Sequence, residues 1–143
     1  MVDLLSPAHC VCNNLHQTTR AVSRIYAEEM RPTGIKRSQF SILAYLQILG
    51  VIQLTELADL MIMDRTTLSR NLKPLEKKGL VFINKSPNDA RARQLSLSKE
   101  GKAKFRESMK YWTRAQKKVL KMFGKKNWQE LESTLHRLRK QVS

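Results

Sequence analysis

The sequence predicts a mostly α (α+β) fold: short helices and one β-hairpin form a central lobe, and longer N- and C-terminal helices form a second. Three observations predict it. Apolar residues recur at helical spacing over most of the 143 residues. Two short β-rich runs on either side of a Ser-Pro-Asn-Asp turn interrupt that pattern once, between Leu80 and Leu97. The terminal helices carry apolar stripes that one small lobe cannot bury, so a partner is expected there.

The elements follow in order. Ser6-Pro7 reads as an N-cap followed by proline at the first helical position. The helix it opens carries Leu15, Val22, Ile25, Tyr26 and Met30 and ends near Arg31, because Pro32 disfavours helix before it. Thr33-Gly34 make a turn. A second helix runs from about Lys36 to Leu49, with Phe40, Leu43, Ala44 and Gln47 as its stripe, and stops at Gly50. A short third helix covers 55–61 with Thr55 at its start. Asp64, a preferred N-cap, opens a fourth that ends at Gly79, with Pro74 inside it as a local bend. Leu80-Val81-Phe82-Ile83 and Gln94-Leu95-Ser96-Leu97 are the two strands of a hairpin with a long basic tip.

Ser98 caps a long helix with Phe105, Met109, Trp112, Ala115, Val119 and Phe123 on one side, broken at Gly124. Asn127 then reads as the cap of the last helix, with Glu130 as its reciprocal capping-box residue. Trp128, Leu131, Leu135, Leu138 and Val142 step by 3, 4, 3 and 4 along it, the narrow seam of helix-to-helix packing.

Charge is the unusual feature of the composition. There are 27 Lys+Arg against 12 Asp+Glu, a net charge of +15. Residues 1–63 hold five of each sign, so the entire excess lies in 64–143. A polyanion is the partner such asymmetry implies, nucleic acid before membrane or acidic protein. No run of about 18 apolar residues is present, so no membrane-spanning helix is expected. Met1 to Pro7 lacks the basic-then-apolar pattern of a secretory signal. Two cysteines cannot build a disulfide scaffold, which makes the cytoplasm the expected compartment.

The order helix, tight turn, helix, basic-tipped hairpin is that of a winged helix-turn-helix. Helix 55–61 supports helix 64–78, whose N-terminal half presents Arg65, Thr66, Thr67, Ser69 and Arg70. In such readers that end meets base edges in the major groove. Arg grips guanine with two hydrogen bonds, and Thr and Ser bond bases or phosphates. Lys73, Lys77 and Lys78 suit phosphates, which position without specifying.

With these residues in view, the chain resembles the MarR family of bacterial and archaeal transcription regulators. The resemblance rests on Ser38-Gln39-Phe40, Glu56-Leu57-Ala58, Arg65-Thr66-Thr67-Leu68-Ser69-Arg70 and Leu75 through Val81. It continues through Asp89-Ala90-Arg91 in the wing and Leu97-Ser98-Lys99-Glu100-Gly101 after it. It implies a single domain over 1–143. Residues 36–97 would form the DNA-binding lobe, and 1–34 with 98–143 the dimerisation helices. The implied partner is a pseudo-palindromic operator in double-stranded DNA, bound by a homodimer that acts as a repressor and is released by a small aromatic molecule or by oxidation. In the wing, the resemblance makes Arg91 the residue that enters the minor groove, oriented by Asp89, with Arg93 as a second contact. Two positions depart from the pattern. Ile62 stands where the turn often has Gly, and Lys36 where a capping Ser or Thr is common, so a frayed start is expected for the second helix.

The effector contacts expected between the lobes are His16, Arg20, Tyr45 and Trp112: Arg20 holds a carboxylate and the aromatics sandwich a ring. Core packing is the competing role for Tyr45 and Trp112. Cys10 and Cys12 are the redox alternative, and an architectural DNA-binding protein without an effector is another. The basic residues from Lys117 to Lys126 read as a solvated helix exterior. His9, His16 and His136 are scattered, no four-ligand metal pattern occurs, and no phosphate loop or nucleophile elbow is present. Neither an enzyme, a cofactor nor a metal is expected.

Overall fold

A computed structural model describes residues 1–143. A one-turn 3-10 helix, Pro7–His9, precedes α1 (Val11–Met30); a second such turn, Arg31–Thr33, links it to α2 (Arg37–Leu49). Then come β1 (Ile52–Gln53), α3 (Leu54–Leu60), α4 (Arg65–Lys77), β2 (Val81–Lys85), β3 (Arg93–Leu97), α5 (Lys99–Phe123) and α6 (Lys125–Val142). The strands form one antiparallel sheet in the order β1-β3-β2, with Ile83 opposite Leu95 and Ile52 on its other side. This is the mostly α winged-helix architecture that the sequence predicts, with β1 added as a third, two-residue strand.

One core holds the central lobe together. Ile42, Leu43 and Leu46 of α2, Leu57 of α3, Leu68, Leu72 and Leu75 of α4 and Leu95 of β3 are almost completely buried. Burying side chains of this size stabilises a fold by about 1.5–3 kcal/mol each. Phe40 stacks on Phe105 and on Trp112, at ring-centroid distances of 5.4 and 5.9 Å, and so ties α5 to the lobe. Trp112 therefore packs against the core.

Several boundaries differ from those the sequence predicts. Pro7 opens only a single turn, and α1 begins afresh with Cys10 as its N-cap, the thiol accepting from the Asn13 N–H at 3.4 Å. The α2 stripe is Gln39, Phe40, Ile42, Leu43 and Leu46, not one reaching Gln47, which is exposed. The start of α2 is closed rather than frayed: the Gln39 Oε1 accepts from the Lys36 backbone N–H at 3.0 Å. Helix α3 starts one residue early, capped from Gln53, so Thr55 lies inside it. The last helix starts at Lys125, because Gly124 turns the chain at φ 91° and already accepts from the Trp128 N–H. Asn127 thus sits inside the first turn and donates to the Phe123 carbonyl at 2.9 Å.

Pro74 lies within α4, and Leu68, Leu72 and Leu75 stay on one buried face across it. The turn between α3 and α4 resolves the departure at Ile62. Ile62 takes φ 50°, the left-handed conformation that a β-branched residue disfavours.

Candidate nucleic-acid interface

The outward face of α4 is built from its first turn. Asp64 caps the helix: its Oδ1 accepts from the Thr67 N–H at 2.8 Å and its Oδ2 from the Thr67 hydroxyl at 2.6 Å. These bonds hold the Asp64 carboxyl below the usual carboxylate range, since they favour its charged form. Arg65, Thr66, Ser69, Arg70 and Lys73 then line a shallow concavity of about 340 Å³ with no apolar residue in its wall. Thr67 stands apart from this face, its hydroxyl occupied by Asp64.

A positioning residue that the sequence did not single out is Asn71. Its Nδ2 donates to the Thr67 carbonyl at 2.9 Å, and its Oδ1 accepts from the Ser38 hydroxyl at 2.9 Å. Ser38 thereby fixes α4 to α2 through a part-buried bond. Only the tertiary fold brings positions 33 residues apart into this bond.

In the wing, Asp89 acts on Arg91 through the backbone. Its Oδ1 accepts from the Arg91 main-chain N–H at 2.9 Å, and its carbonyl accepts from the Ala92 N–H. This is an Asx turn of the kind Asp favours. Asp89 thus orients Arg91 through its main chain, fixing the turn at its base, and not through the guanidinium. Arg91 is exposed. The Arg93 guanidinium folds back onto the tip, donating to the Ala90 carbonyl at 3.0 Å and to that of Ala92 at 3.4 Å. Arg93 therefore braces the tip in the free protein.

The four residues expected to hold an effector fall into three places within one chain. His16 and Arg20 share an open face of α1 with Cys12, Leu15 and Thr19. Trp112 is in the core stack. Tyr45 lines a cleft of about 350 Å³ with Arg37, Ser38 and Ser41 of α2, residues 60–63 of the turn and Arg139 of α6. The two arginines of that cleft come from α2 and α6, far apart in the chain, which is why sequence reasoning missed them. Cys10 and Cys12 are free and exposed. No group of three or more His, Cys, Asp or Glu is gathered anywhere, and no helix is long and apolar enough to cross a membrane.

The terminal helices leave a groove of about 300 Å³ along α1, α5 and α6, lined by Val22, Ile25, Val119, Leu120, Trp128 and Leu131 among others. On one flank the Tyr26 hydroxyl donates to Gln116 Oε1, and burial pushes the Tyr26 phenol above its ordinary value. No residue of α6 is buried within one chain.

Against known proteins, residues 33–92 match the family model described as the MarR family. That stretch runs from before α2 to the wing and contains both α4 and the Asp89–Arg91 turn. Over that stretch, a little under half of its length, the chain is similar to the MarR family. It is 27% identical over 95 residues to the uncharacterized HTH-type transcriptional regulator YwoH of Bacillus subtilis (strain 168), covering 66% of this chain and 69% of that protein. Among solved structures, the Mycobacterium tuberculosis transcriptional regulator MosR in complex with DNA superposes with a TM-score of 0.83 at 28% identity, over 93% of this chain and 96% of that one. The transcriptional repressor CouR, bound to a 23-mer DNA duplex, gives 0.83 at 24% identity over 97% and 99%. These structures thus share the fold of nearly the whole chain.

Proposed function

We propose that this chain is a MarR-family regulator of transcription, a homodimer that binds a pseudo-palindromic operator in double-stranded DNA, and that it is a repressor released by a small aromatic or other anionic effector. The observation that carries the reading is the outward face of α4. Five polar or cationic residues form a concavity without an apolar wall, and a basic wing tip follows in the same lobe. Arg65 and Arg70 meet base edges there, Thr66 and Ser69 add hydroxyl contacts, and Lys73 meets phosphate. Arg91 enters the flanking minor groove. Asp64, Thr67, Asn71 and Asp89 position these side chains, and Arg93 braces the wing.

Residues 36–97 form the DNA-binding lobe in this reading, and 1–34 with 98–143 the dimerisation helices. The unfilled apolar groove along α1, α5 and α6 supports that division, as do the exposed Val11, Met122 and Val142. The effector occupies the Tyr45 cleft, where Arg37 and Arg139 balance an anion and the ring and turn residues cover its apolar body. Arg20 and His16 of α1 complete the site only if a second chain brings them to it.

The test is a footprint on the DNA upstream of its own gene, with and without a panel of aromatic acids. A short protected palindrome that an acid releases is the expected result. Continuous coating without a preferred site would replace the regulator with an architectural protein. Release by peroxide alone, abolished in the Cys10→Ser, Cys12→Ser double variant, would replace the ligand with thiol chemistry.

A further inference from the structure

The basic residues of α5 are sorted by face. At 3.6 residues per turn, Lys99, Lys102, Arg106, Lys110, Arg114, Lys117 and Lys121 fall within an arc of about 120°. All seven are exposed, and none of them has an acidic partner. The arc lies opposite the face that carries Gly101, Ser108 and Ala115 into the fold. The two α5 lysines that do form ion pairs, Lys104 with Glu107 and Lys118 with Glu29, lie outside it. The acids within reach of α5 thus neutralise only the lysines off this face.

This cationic rail begins beside the C-terminal end of α4. On α4, Arg70, Lys73 and Lys77 step by 3 and 4 toward the helix C-terminus. The Ser98 hydroxyl, immediately before Lys99, donates to the Gly79 carbonyl at 2.6 Å, so the rail starts beside the end of α4. From there α5 runs to the terminal-helix lobe. Lys99 to Lys121 covers about 33 Å along the axis, close to one helical turn of duplex DNA at roughly 34–36 Å. Seven cations without an acidic partner in one row, of which Arg114 lies over the Tyr111 ring at 5.2 Å, repel one another, and a polyanion along the row relieves that repulsion while releasing its condensed counterions.

We propose that the outer face of α5 is a second, sequence-independent binding surface for duplex DNA, so that one dimer holds an operator on its two α4 helices and a further duplex segment along α5. The proposal rests on the operator reading above. The length of the row, close to one turn of duplex, and its start beside the end of α4 favour DNA over an acidic protein as the occupant.

The test is a bridging assay with the full chain. The protected upstream fragment is immobilised as a short duplex and saturated with protein. A labelled duplex of unrelated sequence and about the same length is then added at rising salt. Wild type should retain the labelled duplex, with retention falling steeply as salt rises. Lys110→Glu, Lys117→Glu, Lys121→Glu in one chain should reduce retention at least tenfold and change affinity for the immobilised fragment less than twofold. Circular dichroism and sedimentation establish that this variant is folded and has the wild-type assembly state. Arg70→Ala should weaken binding to the immobilised fragment roughly 5–150-fold and leave non-specific binding in place. Equal retention by wild type and the triple variant overturns the proposal, as does capture of the fragment with no labelled duplex. Displacement by polyglutamate at the charge concentration at which DNA competes would give the surface to an acidic protein instead. Failure of wild type to hold the upstream fragment at all overturns the operator reading, and the proposal with it.

Discussion

Ile62 and Gly79 occupy the same position in two successive helix ends. After α3, the Met63 N–H donates to the Ala58 carbonyl and the Ile62 N–H to that of Asp59; after α4, Leu80 donates to Leu75 and Gly79 to Glu76. Both ends are Schellman motifs, and each needs its C′ residue in the left-handed region. Gly79 sits there at φ 71° without a side chain, Ile62 at φ 50° with a β-branched one.

Replacing Ile62 should therefore stabilise the protein. A left-handed L-residue costs roughly 1–2 kcal/mol, and glycine gives back about 0.5–1 kcal/mol in unfolded-state entropy. Ile62 is largely exposed, so little burial is lost. Ile62→Gly should gain about 0.5–1 kcal/mol, and Gly79→Ala should lose about 1 kcal/mol or more. Urea midpoints at one protein concentration check both. A lower midpoint for Ile62→Gly would mean that the isoleucine side chain makes a contact in the dimer.

Gly101 should tolerate no side chain. A Cβ built there would lie 2.0 Å from the Leu80 carbonyl oxygen and 3.2 Å from Leu97 Cδ2. Both obstacles belong to the wing base, which the Ser98–Gly79 bond holds against α5. Gly101→Ala should lose stability at or above the upper end of the roughly 1–3 kcal/mol typical of overpacking. Thermal unfolding measures it; a change within ~0.5 kcal/mol would contradict the close approach.

The start of α4 should loosen in acid. The Asp64 pKa is lowered from its ordinary 3.8 by bonds that exist only in the folded protein. A depressed folded pKa contributes stability above the unfolded value, and that contribution is lost as pH falls through the folded one. The bonds from the Thr67 amide and hydroxyl lose their charged acceptor and weaken over this range, below pH 3.8. In an NMR titration the Thr67 amide shift should move there in wild type and stay flat in Asp64→Asn, which still caps. The same movement in both would assign it to another group.

Recognition helix and wing should fail in different ways. Arg70→Ala should cost roughly 1–3 kcal/mol of operator affinity and relax base preference. Arg91→Ala should weaken binding mainly to sites with A·T-rich flanks, because a narrow groove concentrates negative potential. Asp89→Ala should follow Arg91→Ala in direction, since it frees the backbone that carries Arg91. Half-sites about 10 bp apart place both α4 helices on one side of the duplex. Titration of sequence-randomised operators separates these effects, and equal losses at every position in both arginine variants would remove the distinction.

Shortening the C-terminus should disassemble the protein. Deleting residues 127–143 removes Trp128 and Leu131 from the groove wall, together with the seam through Val142. Sedimentation should report a monomer or an aggregate with weak operator affinity. A stable, fully active truncated monomer would refute the dimer.

The sequence by itself determined the helices, the hairpin and the polar outward face of α4, because each is written in local signals. Asp64 and Ser98 are caps, Gly79 and Gly124 are breaks, and the leucines of α4 recur at 3.6-residue spacing whatever they pack against. Arg65, Thr66, Ser69, Arg70 and Lys73 share a helix face by arithmetic alone. The tertiary structure decided what depends on distant partners. Strand β1 exists only because Ile52 finds Leu95, and two residues leave no periodicity to read. Asn71 gains its role from Ser38, and the Tyr45 cleft takes one arginine from α2 and another from α6. Asp89 chose the Arg91 backbone over its guanidinium, and Asp64 drew Thr67 away from the outward face. Such choices rest on which of several polar partners lies within hydrogen-bond reach, and chain separation does not encode that distance.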